Sequence, residues 1–313
     1  MKLGFLKNLS KSTNKWIVLA LMAMGLACLY NMLIKAVSSL MPASMFLSGL
    51  FALQVPFLAA FILLNNKYVN GPKFSIPPFK SLILCLFLGV FGASGNIFEV
   101  WAVEAAPNIG YVSAVKLGQI FIITLFGDLV SGQRNTRLID FVLSLGVILG
   151  ILLVTLGGVS DLESIAQQNI NWVWYSVGAM FSFSAMILGT KYVTRTINSS
   201  LVTFWLIFST AIYLIGFGYK DFMQLVVARD FYSYFLVGLS AVCIGTFNLL
   251  LAQSVAKAPN PGFPISLTSL QVPVLTLCAV IFFKDQSISV LAIIGSLVAM
   301  YSSFKLATSE RKG

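Results

Sequence analysis

The sequence predicts an all-α integral membrane protein of ten transmembrane helices, arranged as two five-helix repeats of inverted topology. Three observations lead there: an apolar composition, ten apolar runs of spanning length, and a second half that repeats the first. Of 313 residues, 58% are hydrophobic and 10% charged, against about 45–50% and about 25% in soluble domains. So few polar groups cannot cover a water-exposed surface, which excludes a soluble enzyme, a disordered chain and a disulfide-rich secreted fold. The chain has no histidine, which removes the commonest neutral-pH proton shuttle and His-ligated metal sites. Cys28, Cys85, Cys243 and Cys278 fall inside apolar runs without metal-type spacing. No cofactor or metal is expected.

A bilayer core takes about 20 apolar residues as helix. Such runs occupy 16–36, 44–64, 81–104, 109–131, 138–157, 171–193, 201–219, 234–256, 262–283 and 288–306. The first follows a basic tail, 1–15, whose Lys2, Lys7, Lys11 and Lys15 imitate a signal-peptide n-region. Its copy at the sixth run, described below, argues for a retained span. Asn65-Asn66-Lys67 and Gly71-Pro72-Lys73 end the second run with turn chemistry and charge. Gly89, Gly92 and Gly95 in the third run, and Gly146 with Gly150 in the fifth, permit close helix approach. Gly132-Gln133-Arg134-Asn135 closes the fourth. An outer linker, 158–170, separates the first repeat, 16–157, from the second, 171–306. Asn198-Ser199-Ser200 divides the sixth run from the seventh, Lys284-Asp285-Gln286 the ninth from the tenth, and 307–313 form a second tail.

The net charge of +10 sits in the short breaks between runs, so it reports orientation rather than a nucleic-acid partner. With the N-terminus inside, fifteen Lys and Arg fall on inner segments. Only Lys35, Lys220, Arg229 and Lys284 fall on outer ones. Both termini are therefore expected in the cytoplasm, in the cell (inner) membrane by default, with the Asn8 and Asn198 sequons on the inner side.

Ala106-Pro107-Asn108-Ile109-Gly110-Tyr111 recurs as Ala258-Pro259-Asn260-Pro261-Gly262-Phe263, 152 residues on. The same offset matches Asn96 to Asn248, Gln119 to Gln271 and Thr124 to Thr276, and an offset of 156 matches Trp16 to Trp172 and Lys35 to Lys191. Five spans is an odd number, so the second copy enters the membrane from the opposite side. Inverted repeats of this kind serve alternating access in many secondary transporters.

On these residues the chain resembles the drug/metabolite transporter superfamily in its ten-span EamA-type branch. The resemblance is carried by the lysines closing spans 1 and 6, by the Ala-Pro-x-x-Gly-aromatic starts of spans 4 and 9, and by Pro273 with Asp285 twelve residues later. The first half departs from the pattern, with Phe121 and Gln133 where the proline and acid stand. The resemblance implies a central cavity between the halves, with spans 5 and 10 peripheral.

A charge at the bilayer centre costs about 2.5–3.5 kcal/mol on insertion scales, so intramembrane charge points to function. Lys116 lies roughly 10–14 Å into span 4, and Ser113, Lys116 and Gln119 form a polar stripe at i, i+3 and i+6. The matching stripe in span 9 is Ile265, Thr268 and Gln271, so the cation is not copied. Lys116 is a candidate for an anionic ligand group, or for a structural pair with Glu99. Glu99 is the candidate for a substrate amine or a coupling proton. Asn96, Asn248, Gln119 and Gln271 supply hydrogen bonds to a ligand or between helices. Trp101, Tyr111, Trp174 and Tyr175 are candidates for stacking or an interfacial belt.

The expected function is a secondary transporter of a small polar or amphipathic metabolite, with amino acids and related compounds ahead of nucleotide sugars and other phosphorylated compounds. No phosphate-cradling Gly-x-x-x-x-Gly-Lys motif provides for ATP, so a proton gradient or exchange would drive it. A membrane-embedded enzyme and a channel are the other classes, lacking respectively an acid pair and a repeated filter loop. Membrane lipid is the surrounding partner, and a homodimer through spans 5 and 10 is a further expectation.

Overall fold

The computed structural model describes residues 15–38, 40–69, 71–105, 115, 116, 118–131, 137–157, 171–228, 231–271, 273, 274 and 290–308. Residues 1–14 and 309–313 of the tails, the 158–170 linker, Tyr111, Ser113, Gln133, Thr276, Cys278 and Asp285 lie outside them. Eleven helices and no strand occur among the described residues: α1 (Lys15–Ser38), α2 (Ala43–Val69), α3 (Phe79–Ala105), α4 (Gln119–Ser131), α5 (Leu138–Gly157), α6 (Asn171–Val193), α7 (Ser199–Phe217), α8 (Tyr219–Ala228), α9 (Phe231–Lys257), α10 (Gly262–Thr268) and α11 (Val290–Thr308). Six of them, α1, α2, α3, α6, α7 and α9, are long and apolar enough to cross a membrane. Large apolar side chains such as Leu129, Leu138, Phe181 and Leu297 are more than half exposed, as a lipid-facing surface requires. The chain has the character of a membrane protein.

The helices pack in a definite set of pairs. α3 lies along α6 and α9 along α1; α7 lies against α3 and α2 against α9; α4 meets α6 and α10 meets α1; α5 pairs with α11. Small residues set the closest approaches. A Cβ at Gly89 would stand 2.2 Å from Ser209 Oγ, so α3 and α7 touch nearly backbone to backbone. The Ser209 hydroxyl donates to Leu86 O at 2.8 Å and the Thr210 hydroxyl to Gly89 O at 3.3 Å. Gly146 and Gly150 face Ser302 and Ala299 of α11, which occupies the small-residue face of α5 within the same chain.

The sequence reading left 220–233 as an outer loop, but α8 is a helix there. Leu225 is buried against Gly49 of α2 while Val226 and Val227 are exposed, so one face of α8 is fixed to the bundle. The Ser44 hydroxyl donates to the Asp221 carboxylate, tying the start of α2 to α8.

Gln54, in the middle of α2, is fully buried, and neither its Oε1 nor its Nε2 meets a hydrogen-bonding partner. A buried polar group left unmatched costs about 1–3 kcal/mol. Gln54→Leu, close in volume, is therefore expected to hold or raise the melting temperature of the detergent-solubilised protein. A clear fall in that temperature would show that the amide makes a stabilising bond.

Candidate functional site

Eight helical segments converge on one cavity of about 200 Å³. α1 contributes Tyr30 and Asn31, α3 Asn96 and Glu99, and α9 Asn248, while α4 begins beside Lys116 with Gln119. Threonines come from α6 (Thr190), α7 (Thr203, Thr210) and α10 (Thr268), with Gln271 just beyond. Phe51 of α2, with Phe183, Met186, Phe247 and Leu251, supplies apolar wall. α5 and α11 line none of it, and pack on each other at the periphery.

Lys116 Nζ donates to Glu99 Oε1, and the two form an ion pair at the cavity wall. The lysine side chain is 16% exposed and the glutamate 31%, so the pair is not sealed off from the space beside it. A lone charge at this depth would be expensive, and each partner compensates the other. The Phe183 ring centroid lies 5.6 Å from the same ammonium, close enough for a cation–π contribution. The described lining residues hold one cation and one anion, so their formal charges cancel.

The amides divide by how much of their bonding is already used. Asn96 Nδ2 donates to Gly92 O at 2.7 Å, back along its own helix. Asn31 Nδ2 donates to Ala27 O at 2.8 Å and reaches Gln271 Oε1 at 3.4 Å. Gln119 Oε1 is buried without a hydrogen-bonding partner.

Of the residues singled out from the sequence, Lys116, Glu99, Gln119, Gln271, Asn96 and Asn248 all line the one cavity. Trp101 does not. It lines a separate cleft, with its ring 5.5 Å from Tyr175 and 6.3 Å from Phe217. Trp174 is 67% exposed, as an interfacial-belt residue would be. Tyr111 lies outside the described residues. The sequence reading passed over Tyr30, Asn31, Phe183, Thr190, Thr203 and Thr210. Asn31 was detectable by the logic that found Asn96, since it is an amide inside an apolar run.

Lys191, picked out only as a helix-closing residue, has a structural role. Its ammonium donates to Val255 O, Ala256 O and Ala258 O at 3.0, 3.0 and 2.7 Å, capping the C-terminal end of α9. Arg195 donates in the same way to Val130 O near the end of α4.

No family model and no curated protein matches the sequence. Among solved structures, one crystal structure of a protein superposes with a TM-score of 0.67 at 15% identity, covering 95% of this chain and 98% of that one. At that identity the likeness speaks for a shared fold alone.

Proposed function

We propose that this protein is a secondary transporter of the drug/metabolite kind, moving a small zwitterion of the amino-acid class by alternating access. The observation that carries the reading is a cavity whose described lining carries one cation and one anion, paired and partly exposed in its wall. A zwitterion can exchange partners with such a pair, its carboxylate going to Lys116 and its ammonium to Glu99, without leaving a net charge in the membrane. A cavity of about 200 Å³ is somewhat larger than the about 150 Å³ that houses benzene and smaller than the about 300–1,000 Å³ of drug-sized sites. That size favours an amino acid over a nucleotide sugar. A phosphorylated ligand would also bring more charge than one ammonium, already matched, can balance.

Ten spans in two inverted repeats are part of this proposal. Exchanging α1 with α6, α2 with α7, α3 with α9, α4 with α10 and α5 with α11 maps the most extensive packing pairs of the bundle onto one another, which supports the repeat. The Lys and Arg distribution supports an N-inside orientation in the cell membrane. Glu99 is the one carboxylate among the described lining residues and its oxygen is held by Lys116, which favours exchange over proton coupling. A homodimer through α5 and α11 would use their outward faces, because their glycine face is filled within the chain.

The test is a thermal-shift screen of amino acids, amines, nucleosides and phosphorylated metabolites. A ligand at 100 times its dissociation constant stabilises by about 2.7 kcal/mol. Zwitterionic amino acids are expected to raise the melting temperature of the parent and to lose that effect in Lys116→Ala. Glu99→Gln leaves the ammonium unmatched, so binding is expected to turn from L-phenylalanine toward 3-phenylpropionate, which has the carboxylate without the ammonium. Stabilisation by amino acids that survives both substitutions would make the pair structural and remove it from the binding site.

A further inference from the structure

On two helices the walls of two cavities share one register. Phe51 of α2 lines the central cavity, and Leu47, one turn back, lines a second cleft of about 170 Å³. Thr210 and Leu214 stand in the same relation on α7, while on α3 the cavity residues Asn96 and Glu99 and the cleft residues Val100 and Trp101 lie at neighbouring levels on different faces. Four residues of helix rise about 6 Å, so a single turn separates the two spaces. The second cleft lies where α2 begins and α3 and α7 end, the outer side in the N-inside orientation. Trp101 and Phe217 form one side of it, and both are partly exposed.

We infer that this cleft is the outer vestibule of the central cavity, so that the transported zwitterion passes between α2, α3 and α7. The inference rests on the transporter reading above. Its support is the register: on α2 and α7 the cleft continues the cavity by one turn toward the same end. α8 is placed to control this opening, because Leu225 packs at Gly49 and Asp221 accepts from Ser44 at the cleft itself. The lining side chains carry no charge, and Ser44 and the Trp101 indole are the ones with polar atoms.

Accessibility of single cysteines tests the route without any ligand. Phe247→Cys, in the central cavity, and Phe217→Cys, in the cleft, in the protein reconstituted in proteoliposomes, are treated with a membrane-impermeant methanethiosulfonate carrying a trimethylammonium group. The native thiols, of which Cys28, Cys85 and Cys243 are buried, set the background. Both positions are expected to react, Phe217→Cys the faster. Filling the cleft with Leu47→Trp is expected to slow modification of Phe247→Cys about tenfold or more, which corresponds to about 1.4 kcal/mol of added barrier. Ala43→Phe fills it from the neighbouring turn if Leu47→Trp does not fold. Full-rate modification of Phe247→Cys behind a filled cleft, or a Phe217→Cys that never reacts, overturns the inference. Because the assay reads no ligand, failure of the route appears here, and failure of the transporter reading appears in the thermal-shift screen.

Discussion

Lys191→Met is expected to destabilise the protein by about 3 kcal/mol or more, because it leaves three backbone carbonyls without this donor, at about 1–3 kcal/mol for each that stays unsatisfied. The reason lies at the end of α9. The last carbonyls of any helix lack intrahelical donors, and here the chain continues as Ala258-Pro259-Asn260-Pro261, where the two prolines have no N–H to offer. The Lys191 ammonium supplies three N–H groups to three of these carbonyls, and its charge faces the negative end of the helix dipole. Lysine is 8% exposed there, so water is poorly placed to replace it. Methionine keeps the length and the apolar stem but donates nothing. Lys191→Arg is expected to fall between the two, because a planar guanidinium keeps the charge but not the convergence on three acceptors. A thiol-reactive dye reads the effect directly, since Cys28, Cys85 and Cys243 are buried until the bundle opens. The melting midpoint is expected to drop by about 6 °C or more in Lys191→Met. An unchanged midpoint would mean that the carbonyls find other donors.

Gly150→Leu is expected to cost a comparable amount, about 3 kcal/mol or more, at the upper end of overpacking effects. A Cβ at Gly150 would stand 2.5 Å from Ala299 N and 2.6 Å from Gly295 O. Both are backbone atoms, so no rotamer change relieves the contact and α5 has to move away from α11. Gly25→Ala is the control. Nothing lies within 4 Å of its added Cβ, and alanine is the better helix former by about 1 kcal/mol. Its melting temperature is expected to stay level or rise. Equal losses in the two variants would defeat the close-packing account. The same small-residue contact decides how the glycines of span 5 are used, since the surface they open is taken by α11 rather than left for a second copy.

How far the site was legible depended on the kind of signal each residue carries. Lys116 and Glu99 stood out because charge inside an apolar run is costly wherever the run packs, so a partner had to exist. Gln119 and Gln271, like Asn96 and Asn248, stood out because each recurs at one offset. Trp101 shows where this logic stops. It lies two residues beyond Glu99, which turns it about 200° around the helix, onto the side facing α7 and Tyr175. An aromatic residue is compatible with lipid, interface or cavity, so its type alone does not choose among them. Asn31 and the threonines were hidden for a related reason: a hydroxyl or amide can satisfy itself on the preceding turn, as Thr190 does on Met186 O and Asn31 on Ala27 O, and so need not mark a site.

The sequence by itself determined that the chain lives in a membrane, where its apolar helices lie, and which charges have to be matched. These follow from composition and spacing, which are properties of each segment taken alone. The tertiary structure decided that α8 folds as a helix against α2, that Lys191 closes α9, and that six of the candidate side chains face one cavity while Trp101 faces another. Those outcomes depend on the rotation of each helix about its axis and on its neighbours, set by contacts among glycines, carbonyls and rings far apart in the chain.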